Sequence, residues 1–219
     1  MRHDPDVDVW DPLRPAEVGA LLRGCGALWW LSGGCGIDAW LGRATREHGD
    51  IDVSVLRAGW PALAAALPAR LEPFAAVHGE LTAMPGGPAP DVVHNIWIRD
   101  ADAGRWVLQV NLDEGDERVW RYRRDPSVSR AWSRAVESVG DLPVGNPAVQ
   151  LLWKAAAPGP KDAADLAVVL PALTREDRDW LAGALARAHP YSPWRAPLEE
   201  GPGDGAHGGP ERYIRGLRR

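Results

Sequence analysis

The chain has 219 residues, 45% hydrophobic and 25% charged, the balance of a soluble globular protein and not of a disordered chain, a collagen or a coiled coil. A chain of this length buries roughly 70% of the surface its unfolded form exposes, so it needs no staple, and its two cysteines, Cys25 and Cys35, lack zinc spacing and fit a reducing cytoplasm. The net charge of −5 argues against general nucleic-acid binding, no apolar stretch approaches the ~20 residues of a membrane helix, and the acidic start MRHDPDVDVW carries no secretory signal.

Residues 1–14 read as a loose polar lead-in. A helix is expected from Arg14-Pro15, with Pro15 at its first position, Val18, Leu21 and Leu22 at helical spacing, and Gly24 and Gly26 ending it. The apolar run ALWWLSGG predicts a buried strand closed by a glycine turn, followed by a short helix over Ile37 to Leu41 that Gly42 ends. In HGDIDVSVL, Asp50, Asp52 and Ser54 alternate with Ile51, Val53 and Val55, as in a strand with one wet and one buried face. WPALAAALPARL reads as a helix, residues 72–84 as a weakly alternating strand, and MPGGPAPD as a loop. HNIWIRD and WVLQVNLD are two strands joined at DADAG in a hairpin. Beyond the Asp125-Pro126 break the pattern turns helical at Pro147, with PAVQLLWKAAA, KDAADLAVVLPAL and TREDRDWLAGALARA; Thr174 and Asp177 have capping-box spacing. The stretch after Pro193 is rich in Gly and Pro and reads as mobile, and it ends in the basic tail ERYIRGLRR. The expected division is 1–140, 141–194 and 195–219: a mixed α/β part, a helical lobe and a tail.

Chemistry concentrates in residues 28–55. Asp50 and Asp52, two apart on a strand, project from one face and repel each other unless a cation sits between them. Oxygen-only donors of this kind suit Mg²⁺, which takes one or two carboxylates and completes its shell with water and substrate phosphates. Ser32, Gly33 and Gly34 precede a helix start, where a bare backbone and free N–H groups can cradle a phosphate. Together these are the equipment of phosphoryl or nucleotidyl transfer.

The run Gly33, Gly34, Leu41, Gly42, Arg43, Thr45, Arg46, His48, Asp50, Ile51 and Asp52 resembles the nucleotidyltransferase superfamily, and within it the aminoglycoside 2″-adenylyltransferase type; residues 94–126 and 147–173 carry a weaker likeness. The resemblance implies an α+β fold, a nucleotidyltransferase-type mixed sheet flanked by helices and followed by a helical C-terminal lobe. It implies Mg²⁺ held by Asp50 and Asp52, ATP or another NTP as donor, and transfer of a nucleoside monophosphate to a hydroxyl of a small sugar-containing or aminoglycoside-like acceptor, with release of pyrophosphate. Ser32, Gly33 and Gly34 would contact the phosphates. The implied protein is a bacterial, cytoplasmic monomer or homodimer with a place in antibiotic resistance. The acidic net charge suits a cationic acceptor.

The family usually adds a third carboxylate on a neighbouring strand. There Gln109, Asn111 and Asp113 alternate with apolar Trp106, Leu108, Val110 and Leu112, and Gln109 stands at the expected place. A glutamine can ligate a metal through its oxygen but cannot take a proton. Either Asp113 or Glu114 substitutes as the catalytic carboxylate, or the base lies in the helical lobe at Asp162 or Asp165, or the chain is a weak or inactive nucleotide-binding relative. A toxin-like transferase acting on tRNA or a protein is the further alternative. Arg46 can brace Asp50 or Asp52 or reach a phosphate; Lys154, on an otherwise apolar helix, can snorkel to solvent or reach the triphosphate. His48 reads as packing more than base, His94 and Asn95 as a polar pair at a strand edge, and Trp97 or Trp132 as a surface on which a base or sugar stacks.

Overall fold

A computed structural model describes residues 9–84 and 86–199. The expectations for residues 1–8, for the Gly/Pro stretch from 200 onward and for the basic tail lie outside the described residues. Along the chain, α1 (Pro15–Leu22) leads to β1 (Trp29–Ser32), α2 (Gly33–Leu41), β2 (Asp52–Leu56) and α3 (Trp60–Ala66). Then come β3 (Leu71–Val77), β4 (Glu80–Ala83), β5 (Asn95–Asp100), β6 (Arg105–Gly115), β7 (Val119–Arg121) and β8 (Ser129–Ala131). After α4 (Trp132–Ala135), the strands β9 (Val136–Val139) and β10 (Leu142–Gly145) precede α5 (Pro147–Lys154), α6 (Pro160–Val169), α7 (Arg175–Ala188) and α8 (Arg195–Glu199).

The strands form one mixed sheet in the order β4-β3-β5-β6-β2-β1-β10-β9, and β7 and β8 extend the far end of β6. The pairings β2–β6 and β1–β10 are parallel. One face of the sheet packs on α1 and α3 through Val18, Leu22, Trp60 and Leu63, against Leu31, Val53, Val55, Leu108, Val110 and Leu112. The other face meets the C-terminal helices through Trp30, Trp120 and Tyr122, against Leu151, Leu152, Leu181 and Leu185. This is why all four residues of β1 are buried: a strand covered by helices on both sides reads as a continuous apolar run, with no alternation. The mixed sheet flanked by helices and the helical C-terminal region match the fold the sequence led us to expect.

Several local expectations change. The lead-in is tied down from residue 9: Asp11 N–H donates to the Trp106 carbonyl and Leu13 N–H to that of Val107, both at 2.9 Å. Residues 71–83 form two strands, turned at His78 and Gly79 with φ of 52° and 81°; successive positive φ values give the tight turn whose twist matches the strands. The short strands β7 to β10 were not visible in the sequence, and β10 carries the sheet to Gly145, beside β1. A bulge in β6 leaves Val107 unpaired between the Ile98–Leu108 and Arg99–Trp106 pairs. Val107 and Leu108 therefore both enter the α1/α3 core, while Trp106 turns away from it to meet Phe74 and Trp97 at 5.4 and 5.5 Å. Its expected place among the apolar residues of that strand is thus corrected by a one-residue slip.

Asn146 joins the sheet to the helical region. Its side-chain oxygen caps α5 by accepting from Ala148 N–H at 2.9 Å and also accepts from Arg130 at 2.9 Å. Its amide donates to Glu137 at 2.7 Å, and Arg130 pairs with buried Asp177. At the start of α7, Thr174 Oγ1 accepts from Asp177 N–H, as the capping spacing predicts. Among the described residues no helix is long and apolar enough to cross a membrane. Replacing Asn146 by Ala removes a cap and leaves the buried Arg130 one acceptor short. The expected loss is about 3 kcal/mol of unfolding free energy, measurable by urea titration; a loss below about 1 kcal/mol would show that the network is not what holds α5 to the sheet.

Candidate active site

The site grows from the seam between β1, α2 and β2. Ser32 ends β1, pairs across the sheet with Asp52 and is followed at once by α2. The helix thus starts at Gly33, four residues earlier than the apolar spacing implied, so the glycine pair is itself the helix N-terminus. Gly33 has φ of 63°, and a Cβ there would collide with the Asp52 carboxylate. Only a glycine both adopts this conformation and lets the backbone lie so close to the acid. Gly33 N–H donates to Gln150 Oε1 at 2.9 Å. Ser32 is 3% exposed, and its hydroxyl is buried without a hydrogen-bond partner.

Asp50 is exposed and lies just before β2, so the strand proper begins at Asp52. Ile51 between them is buried in the opposite face, which leaves the two carboxylates on the same side. Burial pushes the Asp52 carboxyl up to about 6, the Asp50 charge pushes in the same direction, and a hydrogen bond from Asn111 opposes both. A cation between the pair would reverse that penalty. Among the described residues no three His, Cys, Asp or Glu gather as a metal site. The donor set is therefore two carboxylates, beside an orphaned hydroxyl and a backbone that a Cβ would block. It fits a hard divalent cation that completes its shell with water and phosphate oxygens.

Gln109 stands opposite Asp52 in the parallel register, the place of the expected third carboxylate. Its amide donates to Asn111 Oδ1 at 3.1 Å, Asn95 donates to the same oxygen at 2.7 Å, and Asn111 donates to Asp52 Oδ1 at 3.1 Å. An amide ladder, not an acid, thus adjoins the pair and steadies Asp52. Asp113 lies opposite Leu56, four residues further along, about 13 Å down the strand from Gln109. Asp113 thus lines the same cavity as Asp52, further along the strand.

Arg46 does not brace Asp50 or Asp52. It forks onto Asp165 of α6 at 3.1 and 3.2 Å, and also lies where a Cβ on Gly34 would fall. Lys154 pairs with Asp162 and Asp165, each at 2.9 Å. Burial raises the carboxyl of Asp165, which is 1% exposed, but donors from Arg46 and Lys154 outweigh it and hold the group below its ordinary range. A carboxylate so held is a poor proton acceptor, so Asp165 acts as an anchor between the β2 approach and the helices. His48 contacts Asp38 at 2.7 Å, and Thr45 donates to the other Asp38 oxygen. The Arg-x-Thr-Arg-x-His run thus wraps Asp38 and seats Arg46 against Gly34.

A cavity of about 270 Å³ opens over this face. Ser32, Gly33, Asp52, Gln150 and Lys154 line one part of it; His94, Asn95, Asp113, Arg123 and Arg124 also line it. Asp50, Gln109, Gly34 and Arg46 adjoin the lining without belonging to it. Trp97 faces the same way as Gln109, its partner in register, whereas Trp132 packs on Trp30 and takes no part. Sequence reading did not place Gln150, Arg123 or Arg124. The cluster WRYRRDP was visible as charge, but nothing local says which way it faces.

Asp113 is 3% exposed and accepts from Trp120 Nε1 at 2.8 Å. Burial pushes its carboxyl up to about 7, only partly offset by Trp120 and Arg123. A carboxyl whose folded value exceeds its unfolded one contributes stability that is complete below about pH 4 and is lost as pH rises through about 7. Asp113→Asn keeps the acceptor for Trp120. Its stability advantage over the parent is expected to be near zero at pH 4 and to grow to its full size by pH 8, as read from denaturation midpoints; an advantage independent of pH would refute the buried acid.

Comparison with known proteins finds a likeness over the residues of this site. Residues 16–72 match the family model of aminoglycoside-2″-adenylyltransferase, a span that holds the glycine turn, Arg46, His48 and the Asp50/Asp52 pair. Over that span the chain is similar to a nucleotidyltransferase of this type. No curated protein matches the chain. Nine chains of solved structures match, two of them as follows. The solution structure of the antibiotic-resistance factor ANT(2″)-Ia is 17% identical, with 84% of this chain and 92% of that chain covered and a TM-score of 0.49. The crystal structure of ANT(2″)-Ia in complex with adenylyl-2″-tobramycin is 15% identical, with 78% and 95% covered and a TM-score of 0.44.

Proposed function

We propose that this chain is a Mg²⁺-dependent nucleotidyltransferase that moves AMP from ATP to a hydroxyl of a small sugar-containing acceptor and releases pyrophosphate. One observation carries the reading: the Gly33 backbone rests on the Asp52 carboxylate beside the partnerless Ser32 hydroxyl. A backbone this close to an acid, next to an unsatisfied donor, is arranged for a phosphate and the cation that accompanies it.

Asp50 and Asp52 would hold Mg²⁺, which when bound neutralises charge developing on the phosphoryl oxygens. The protein's own part is positioning. Ser32 Oγ and the first N–H groups of α2 bind phosphate oxygens, with Gln150 occupying the Gly33 N–H otherwise. Lys154 adds positive charge across the cavity. The Asn111 amide fixes the Asp52 carboxylate in one orientation. Gln109 favours a second reading, a nucleotide-binding relative that does not turn over, because no acid stands at that register position.

Calorimetric titration of ATP with and without Mg²⁺ tests the donor site. Binding is expected only with Mg²⁺ and is lost in Asp50→Asn/Asp52→Asn; no binding of any nucleoside triphosphate to the intact protein would overturn the reading. Gly33→Ala is expected to weaken Mg-ATP binding at least tenfold, since a methyl group there strikes Asp52 and the positive φ becomes strained. Unchanged affinity would remove the backbone cradle from the argument. Pyrophosphate release across an acceptor panel separates the enzyme from the non-catalytic relative.

A further inference from the structure

The cavity wall around Asp113 has an electrostatic character of its own. Arg123 Cζ lies over Trp153, 5.4 Å from the ring centroid, and its Nε is buried without a hydrogen-bond partner. Neither nearby carboxylate satisfies it. Asp113 gives an oxygen to Trp120, and Glu114 is paired with Arg57 at 2.9 Å. Arg57 also donates to His94 Nδ1 at 3.0 Å, and burial with two flanking arginines keeps this ring below its ordinary value. Arg124 lines the same cavity and is exposed. Lys154, the remaining cation of the lining, is already matched by Asp162 and Asp165.

This wall therefore presents two arginines against one buried carboxyl, an oxygen of which is already taken by Trp120. An oxyanion finds a guanidinium held beside Trp153 with an unused N–H, a group whose chemistry suits a bidentate grip on carboxylate or phosphate. The charges that act on Arg123 come from Arg124, Asp113, Arg57 and Glu114, all at the far end of β6. The phosphate cradle lies in the other direction, at the end of β1.

We propose that Arg123 and Arg124 form an oxyanion subsite for the acceptor, so that the hydroxyl compound this protein modifies is itself an acid, a sugar phosphate or sugar carboxylate, and not an amino sugar. The proposal rests on the nucleotidyltransferase reading and narrows its acceptor. The subsite holds the acceptor's anionic group while a hydroxyl elsewhere on the same molecule faces the Asp52 end. In the transfer, the hydroxyl oxygen bonds to the α-phosphorus of ATP, the bond to pyrophosphate breaks, and the hydroxyl proton leaves to solvent.

The test compares glucose 6-phosphate and gluconate with kanamycin as acceptors, in the full chain with Mg-ATP, by pyrophosphate release. The acids are expected to turn over and kanamycin not. Arg123→Gln is expected to raise the acceptor KM at least tenfold and leave the calorimetric Kd for Mg-ATP within about twofold. Arg124→Gln, at an exposed position, serves as the variant whose folding is not in question and is expected to shift the same KM in the same direction. Turnover of kanamycin with no turnover of the acids overturns the proposal, as does an Arg123→Gln variant that loses Mg-ATP affinity in proportion, which would assign the arginines to the donor. If no compound in the panel turns over, titration of glucose 6-phosphate and inorganic phosphate against tryptophan fluorescence decides: saturable quenching lost in both arginine variants upholds the subsite, and its absence in the parent refutes it. Failure of Mg-ATP binding in the parent would instead count against the transferase reading, and the fluorescence titration still judges the subsite.

Discussion

A carboxylate pressed under the first turn of a helix is the constraint around which this molecule is organised. Asp52 has one described hydrogen-bond donor, Asn111, and its neighbour Asp50 repels it. The Gly33 backbone closes over it. Such a group is costly to ionise without a cation. The features around it follow from that cost: a glycine where no side chain fits, an amide ladder that steadies the acid, and a cavity on the open side through which a compensating charge can arrive.

The sheet makes this possible by keeping its two faces distinct. The α1/α3 face is an apolar core with β2 and β6 at its centre, and that packing fixes the register that sets Ser32, Asp52, Gln109 and Trp97 in one row across four strands. The other face is shared between a second apolar core and the cavity. Because side chains alternate strictly along a strand, anchoring one face anchors the other. Arg46 and Lys154 then fasten the helices at one point, buried Asp165, so the wall opposite the sheet is held by a charge cluster as well as by packing.

Legibility in the sequence followed the range of the interaction. Asp50, Asp52 and the glycine turn could be read because strand alternation and glycine chemistry are local, and so could the Thr174 cap. The Asp50–Asp52 pair was read as lying within the strand, whereas the hydrogen-bonded strand begins at Asp52. Strands β7 to β10 could not be read: each is three or four residues long and takes its place only from partners elsewhere, as β10 does from β1. Trp106 was assigned to the wrong face because a bulge leaves no trace in alternation. The partner of Arg46 lies 119 residues away, and no spacing rule reaches that far. How far Asp113 lies along the strand from Gln109 could be counted in the sequence, but which strand faces which, and so where it stands relative to Asp52, comes only from the register.

Lys154, proposed above to face the triphosphate, has its counter-ions already in place. Asp162 and Asp165 outweigh the effect of burial and keep its ammonium protonated, so its charge is not in question at any ordinary pH. Its attraction for a ligand is another matter. An incoming anion must displace resident carboxylates, and the free energy of the encounter is that of an exchange, not of a new contact. Such a site works like an ion exchanger: a singly charged solute offers the ammonium little that it lacks, whereas a solute with several charges on adjacent atoms can outbid the residents. Selection by valence is then built into the position before any shape is recognised.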